Sequence, residues 1–286
     1  MPLDKLQRKI AAIALRAGQH YGLALGGAGA LIEHGIIHRP TQDLDLVTNL
    51  ETGVADAAGP VQAALHDAGL RVVRHGDSSL ADLFAGFTET LIDLDVTSPD
   101  GQQTVVELVY FDRTLNTVTT DIGPVLHIED ALASKVCALA SRAAERDYID
   151  TAAALARGYT PGQLIAFAKR LDPGLTNPEF ADAAQRLDQL SDQRWTDLGF
   201  SPGQVTQMRE QFTVWPRDAE AIGRELQAHH AEEMTAQHGQ DRDAAEQEAT
   251  PGGHQQEPGP LGPPPGGPEA VAWEPEPPEG DMEAGQ

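Results

Sequence analysis

The 286-residue chain is poor in cysteine, aromatic residues and long apolar runs. Its single cysteine, Cys137, excludes a framework of disulfide bonds and a zinc site built from cysteines. No apolar run of about 18 residues occurs, which argues against a membrane-spanning helix. The N-terminal residues also lack the apolar segment and cleavage site of a signal peptide. We therefore expect a soluble, cytoplasmic protein with no membrane partner.

Positive charge is scarce as well, because 20 Lys and Arg residues face 44 Asp and Glu residues, for a net charge of −24. Such a chain has no general surface for nucleic acid, although its bases can still form a local patch. Residues 228–286 contain 13 acidic residues and one basic residue, Arg242. From about Gln240 onward Pro and Gly are frequent and aliphatic residues are few, which predicts a disordered acidic tail.

Apolar periodicity predicts a mixed α/β arrangement in the first half of the chain. Helices are predicted at residues 4–17 and 54–69, and strands at residues 43–47, 70–74, 90–97 and 103–111. The turn sequence Ser98-Pro-Asp-Gly101 separates the last two strands, which predicts a hairpin.

After His127 the periodicity is helical throughout. Two helices are predicted at residues 128–142 and 145–156, and further helices follow Thr160, Asn177 and Ser201. Each of these three residues precedes a proline, as an N-terminal cap often does. We therefore divide the chain into residues 1–127, a helical domain at 128–238 and a tail at 239–286.

Asp43 and Asp45 are the first candidates for a functional site. In a strand their side chains point to one face, with Cα atoms roughly 6.5–7 Å apart, while Leu44 and Leu46 point to the core. Two neighbouring carboxylates repel each other unless a cation or water screens them. Mg²⁺ is commonly held by one or two carboxylates together with substrate phosphates. Taken alone, the pattern is more typical of a solvated strand face.

Other residues strengthen the functional interpretation. Gly26 and Gly27 end an apolar run and open a helix, which exposes backbone N–H groups suited to phosphate oxygens. Glu107 is an acid within an apolar strand, so it either faces water or binds something. We prefer Glu107 as the third carboxylate. Asp93 and Asp95 remain alternatives, since they alternate with apolar residues as an ordinary exposed face does.

The sequence LALGGAGALIEHGIIHRPTQDLDLV resembles the glycine-pair and D-x-D signature of the DNA polymerase β-like nucleotidyltransferase superfamily. Together with EDALASKVCALASRAAERDYIDTAAL, it is similar more narrowly to the AbiEii/AbiGii abortive-infection toxins. In that group a helical lysine and an R/K-D-x-x-D element accompany the D-x-D strand. Here Lys135 and the segment from Arg146 to Asp150 match them.

The resemblance implies an α+β fold: a polymerase β-like mixed sheet with flanking helices, then an all-helical C-terminal domain and the tail. It also implies Mg²⁺, with Mn²⁺ as an alternative, and an NTP substrate. Asp43, Asp45 and Glu107 would hold the metal, and Lys135 and Asp147 would complete the catalytic set, with Asp147 orienting Lys135 or the acceptor. The substrate-binding residues would be Gly26, Gly27, Arg39, Thr41, Lys135, Arg142 and Arg146. If one helix continued past Lys135, both of these last arginines would share its face.

The implied activity is transfer of a nucleotide to a macromolecular acceptor such as tRNA, by the toxin of an abortive-infection or toxin–antitoxin system with a cognate antitoxin. One alternative is a nucleotidyltransferase that modifies a small molecule such as an antibiotic. Another is a catalytically decayed member that binds nucleotide only. The segment from Lys135 to Asp147 favours the macromolecular acceptor, and the complete set of acids argues against decay.

Overall fold

The computed structural model describes residues 3–75 and 90–248, with side chains described to residue 237. The strands are β1 (Ala24–Leu25), β2 (Asp43–Thr48), β3 (Arg71–His75), β4 (Leu91–Thr97), β5 (Gln103–Tyr110), β6 (Val118–Thr120) and β7 (Gly123–Val125). The helices are α1 (Lys5–Ala17), α2 (Gly27–Glu33), α3 (Gly53–Asp67), α4 (Ile128–Ser141), α5 (Glu145–Ala156), α6 (Pro161–Leu171), α7 (Asn177–Gln189), α8 (Asp192–Asp197), α9 (Pro202–Gln211) and α10 (Ala219–Glu248).

The strands form one mixed sheet in the order β3-β4-β5-β2-β1-β7-β6. β2 runs parallel to β5 and antiparallel to β1, and β4 and β5 form the predicted antiparallel hairpin. All four predicted strands are present, and none of their ends differs from the prediction by more than one residue. The short strands β6 and β7 are absent from the sequence prediction, because three residues are too few to show a period.

One face of the sheet carries the core. Leu44, Leu46, Val106 and Leu108 are fully buried on β2 and β5, as alternation with the acids predicts. Helix α3 contacts four of the strands and covers this face of the sheet, and α1 packs against α3. Burying each of these side chains contributes about 1.5–3 kcal/mol. The opposite positions on the same strands carry Asp43, Asp45 and Glu107 together with three valines, Val47, Val105 and Val109.

The second half is helical, as predicted. Thr160 and Ser201 cap α6 and α9, and each forms a capping box with a glutamine at the third helical position. For α7 the prediction is wrong by one residue: Thr176 is the cap, and its side chain and backbone N–H both bond Glu179. Trp195 is fully buried, in edge contact with Tyr148. Trp215 and Phe212 are buried in the same cluster, as expected for core residues.

One of two helix ends, that of α4, agrees with the prediction within one residue, and that of α10 does not. Helix α4 stops at Ser141 because Ala143 adopts a left-handed conformation with φ of 50°. Arg146 therefore lies on a separate helix, and the expected continuous cationic face does not form. Helix α10 extends to Glu248, past the predicted start of disorder at Gln240, because residues 240–248 contain no proline and are mostly good helix formers. The rest of the predicted tail lies outside the described residues.

The described residues up to His238 form one compact unit. Within this unit α2 packs against α4, across the predicted boundary at residue 127, and that boundary stays a prediction. In the described ranges no helix is both long and apolar enough to cross a membrane.

Candidate active site

Four carboxylates lie together on the sheet face opposite the core, and we call them the acid row: Asp43, Asp45, Glu107 and Asp93. Asp45 pairs in register with Glu107 across β2 and β5, and Glu107 pairs with Asp93 across β5 and β4. Side chains directly opposite in neighbouring strands lie about 4.5–5.5 Å apart at Cβ. The register therefore brings Asp45 and Glu107, which are 62 positions apart in sequence, side by side.

The acid row is electrostatically strained without a cation. Burial, and then the charge of Asp43, raise the pKa of Asp45. Burial raises the pKa of Glu107 to about 7, with further contributions from Asp45, Asp43 and Asp93. Hydrogen bonding between the two carboxyl groups raises the pKa of Glu107 further and partly offsets the rise in the pKa of Asp45. Raised pKa values of this kind are typical of carboxylates that cannot all ionise side by side.

The acid row fits a divalent cation. Oxygen donors are what Mg²⁺ prefers, and a cation would relieve the repulsion that raises these pKa values. The Oδ1 atom of Asp93 is buried without a hydrogen-bond partner among the described residues, so the row has a spare buried acceptor. In residues 3–75 and 90–248 no three carboxylate or imidazole groups already converge as one ligand set. Substrate phosphates would have to complete the coordination, as is usual for Mg²⁺.

The glycine pair lies directly against the acid row. Gly26 caps α2, and its N–H donates to the Asp45 carbonyl over 2.8 Å. At Gly27, a Cβ atom would be 1.6 Å from the Asp45 Oδ2 atom, and φ is 50°. Only glycine accommodates both this contact and this backbone conformation. Gly27 therefore allows the start of α2 to approach the carboxylate closely.

A buried carboxylate joins two cations next to the acid row, and we call the three residues the Asp150 clamp: Asp150, Arg39 and Lys135. Arg39 donates two hydrogen bonds of 2.7 Å to the two oxygens of Asp150. Lys135 Nζ lies 3.3 Å from Asp150 Oδ2, and its charge also counteracts the raised pKa of Asp45. Asp150 is fully buried, while the two cations keep small exposed fractions of 12% and 15%. The clamp therefore holds both cations at the edge of solvent.

Burial alone would lower the pKa of Arg39, but its hydrogen bonds to Asp150 and the charges of Asp150 and Asp43 raise it instead. Arg39 thus interacts with the acid row as well as with the clamp. It also links the loop before β2 to helix α5, so the two halves of the site are fixed relative to each other.

Of the two roles predicted for Asp147, orienting Lys135 does not fit its contacts, and orienting the acceptor stays a prediction. It does not contact Lys135; the partner of that lysine is Asp150, one helical turn further on. Asp147 is buried in the first turn of α5. Its carboxylate accepts two hydrogen bonds from the Arg142 guanidinium, of 3.0 and 3.2 Å, and one from the Ala144 N–H. Its observed role is thus to hold Arg142 and to cap the helix.

Arg142 is exposed, and its bond to Asp147 is the main cause of its raised pKa, to which Asp45 and Glu107 also contribute. Its charge is therefore felt by the acid row. Arg146 has no ion-pair partner within the described segments, so it remains a candidate for binding an anionic substrate.

The last two candidate residues are Thr41 and Asp95. Thr41 is buried and donates a 2.6 Å hydrogen bond to Asp43 Oδ1, so it orients that carboxylate. Asp95 is exposed and pairs with His75 at 2.7 Å, on the side of β4 away from β5. The expectation of an ordinary exposed face holds for Asp95 but not for Asp93, whose oxygen is buried. The geometry favours Glu107 as the carboxylate next to Asp45.

The fold is similar to that of MenT4, a nucleotidyltransferase toxin from Mycobacterium tuberculosis H37Rv. The TM-score is 0.54 at 15% identity, over 77% of this chain and 86% of that one. JHP933 from Helicobacter pylori aligns with a TM-score of 0.48 at 14% identity, over 82% of this chain and 99% of that one. The likeness to MenT4 confirms the predicted nucleotidyltransferase fold.

Sequence comparison narrows this class to one family. Residues 10–249 match the family model described as the nucleotidyl transferase AbiEii toxin of type IV toxin–antitoxin systems. The chain belongs to the AbiEii family and is a nucleotidyltransferase. Enzymes of this class generally use an NTP and a divalent metal, and membership of this family implies a cognate antitoxin. Among curated proteins no sequence match is found.

Proposed function

We propose that the protein transfers a nucleoside monophosphate from an NTP to a hydroxyl of an RNA acceptor such as tRNA, with Mg²⁺ held at the acid row. The observation that supports this most is the register of Asp45 against Glu107, which creates a half-buried acid pair with raised pKa values beside the Gly27 turn. A family of toxins is consistent with a macromolecular acceptor rather than with a small antibiotic.

In this proposal the acceptor oxygen attacks the α-phosphorus of the NTP. The bond from that phosphorus to the bridging oxygen of pyrophosphate breaks, and pyrophosphate leaves. The hydroxyl proton passes to a carboxylate of the acid row. A bound metal would stabilise charge on the entering and leaving oxygens.

The residues of the chain mainly provide position and charge. Asp43, oriented by Thr41, and Asp45 would hold the metal together with Glu107. Lys135, fixed by Asp150, would offer its ammonium group to the triphosphate as a compact point charge.

The backbone N–H groups after Gly26 would face phosphate oxygens. We assign the exposed Arg142 and Arg146, which precedes Asp150 by four residues on α5, to the acceptor backbone, and we call these two arginines the rim of the site. A lysine and several arginines around an acidic centre would bind two polyanions, while the acids keep the metal between them.

The proposal is tested by incubating the full chain with each α-³²P-labelled NTP and Mg²⁺. Total RNA, total protein and an aminoglycoside serve as separate acceptors. We expect label in RNA and release of pyrophosphate in equal amounts. Label in the aminoglycoside would support the small-molecule alternative, and NTP binding without label in any acceptor would support the decayed alternative. The control variant is Asp95→Asn, which removes an exposed acid on β4 outside the acid row and should transfer nucleotide as the unmodified chain does.

A further inference from the structure

A cleft of about 360 Å³ opens between the loop at residues 36–39, helix α5 and helix α9. Its volume is in the range of sites that take one small ligand or one monomer of a polymer. The floor is apolar, with Ile149, Met208 and the half-buried ring of Phe200 among its lining residues. Neither the acid row nor Lys135 lines it, and Arg39 is the one residue of the site already described that borders the cleft.

One wall of the cleft is a line of amide side chains. Gln204, Gln207 and Gln211 follow each other on α9 at spacings of three and four residues, which places them on one helical face. Gln207 and Gln211 have no hydrogen-bond partner in the part of the chain that the structure describes. Each amide offers both donors and an acceptor, which is what the edge of a nucleobase requires.

The other wall is cationic. Arg157 donates a 2.9 Å hydrogen bond to His38 Nε2, and among the described residues no carboxylate pairs with it. Arg39 also lines the cleft. None of the described lining residues is acidic, although the whole chain has a net charge of −24. The local charge therefore favours an anionic ligand over a cationic one.

Arg39 also determines which ligand the cleft would receive. It borders the cleft on one side, and on the other it bonds Asp150 and feels the charge of Asp43. The groups that we assign to the triphosphate, Gly26, Gly27 and Lys135, do not line the cleft. An occupant of the cleft is thus adjacent to the triphosphate and distinct from it.

We propose that this cleft binds a single unpaired nucleotide of the RNA acceptor, close to the hydroxyl that receives the NMP. The Gln207 and Gln211 amides bond the base edge, the ring of Phe200 packs against the base, and Arg157 binds a phosphate. Splayed bases at single-stranded ends are the usual target of sequence-specific RNA binding. This inference rests on the proposed function, because that function supplies the RNA acceptor.

The test measures binding of a short 5′-fluorescein-labelled single-stranded RNA to the full chain by anisotropy, without NTP or metal. The double variant Gln207→Ala/Gln211→Ala is expected to bind about tenfold more weakly. Arg157→Ala is expected to bind more weakly and to reduce the slope of log Kd against log salt by about 0.7. The controls are Gln189→Ala and Arg224→Ala, which are exposed helical residues outside the cleft, and both should bind RNA as the unmodified chain does.

Transfer assays then separate the two proposals. We expect the cleft variants to raise the KM for RNA and leave the KM for NTP unchanged. Transfer to RNA with both constants unchanged in these variants would overturn the cleft assignment alone. A raised KM for NTP instead would mean that the cleft holds the NTP base, and it would overturn the assignment too. An unmodified chain that binds RNA through the cleft but transfers nothing to it would overturn the proposed function. Transfer to protein, without RNA binding, would overturn both.

Discussion

At the scale of single residues, the candidate site is defined by two carboxyl groups, Asp45 and Glu107, that neighbouring strands bring side by side. Alternation predicts that Asp43 and Asp45 face away from the core, and it marks Glu107 as an unusual acid in an apolar strand. It cannot predict that Asp45 and Glu107 are neighbours, because that depends on the register between strands that are distant in sequence. The burial that raises both pKa values follows from the same register.

The raised pKa of Glu107 predicts how stability changes with pH in metal-free protein. Its folded value of about 7 lies above the ordinary 4.5, so protonation favours the folded state. This contribution is complete below about pH 4.5 and is lost as pH rises through about 7. We therefore expect Glu107→Gln to be less sensitive than the unmodified chain to pH over this range. Melting temperatures in a pH series with a chelator measure this sensitivity, with Glu210→Gln as the exposed control. Parallel curves for all three chains would contradict the raised pKa of Glu107.

The close approach at Gly27 predicts a split between stability and activity. Gly27→Ala places a methyl group 1.6 Å from Asp45 Oδ2 at a φ of 50°, so the carboxylate must move. Gly35→Ala is the matched control, because φ there is 70° and no atom lies within 4 Å. Both variants should lose about 1–2 kcal/mol of unfolding free energy for the left-handed conformation. Only Gly27→Ala should also lose nucleotide transfer. Equal transfer rates in the two variants would show that this contact does not matter.

At the scale of secondary structure elements, the clamp connects α4, α5 and the loop before β2. The sequence motif draws attention to Lys135 and Asp147, but the buried partner of Lys135 is Asp150. A helical period places Asp147 and Asp150 on one face, and only the packing of α5 against α4 decides which of them meets the lysine. The sequence predicts a break between residues 142 and 145, but not that Ala143 makes it by adopting a left-handed conformation, since alanine is normally the best helix former. It separates Arg146 from the helix of Lys135.

Asp150→Asn should weaken both folding and nucleotide binding. The change leaves Arg39 and Lys135 without their carboxylate, and breaking a buried pair in this way costs about 3–5 kcal/mol. NTP affinity should fall because Lys135 is no longer held in place. Asp130→Asn is the control, since Asp130 is also fully buried but accepts hydrogen bonds from Thr114 and Leu115 instead of a cation. Calorimetric titration with NTP, at a temperature where both variants are folded, measures the NTP affinity of each variant. Equal affinity in the two variants would contradict the role of the clamp.

At the scale of the whole molecule, negative charge is distributed unevenly. Residues 249–286 contain seven acidic residues and no Lys or Arg, whereas the rim of the site is cationic. We expect these residues to support solubility. Removing residues 249–286 should then lower solubility and leave the transfer rate unchanged. A faster rate on truncation, with a gain that shrinks as salt screens the charges, would instead mean that the acids compete with RNA for the cations. A full-length chain with the seven acids changed to amides controls for length.

The central claim is that the acid row performs nucleotide transfer to RNA, and Asp45→Asn tests it most directly. The measurement is joint release of pyrophosphate and labelling of RNA from α-³²P NTP, by the unmodified chain and the variant, over a series of Mg²⁺ concentrations. Asparagine keeps the shape of Asp45 and removes a charge that is repelled in metal-free protein, so the variant should fold as well as the unmodified chain. We predict equal pyrophosphate and label with the unmodified chain, and a loss of about 10²–10³-fold in the variant, the range for one charge-stabilising group. Undiminished transfer by a correctly folded Asp45→Asn chain would contradict the account.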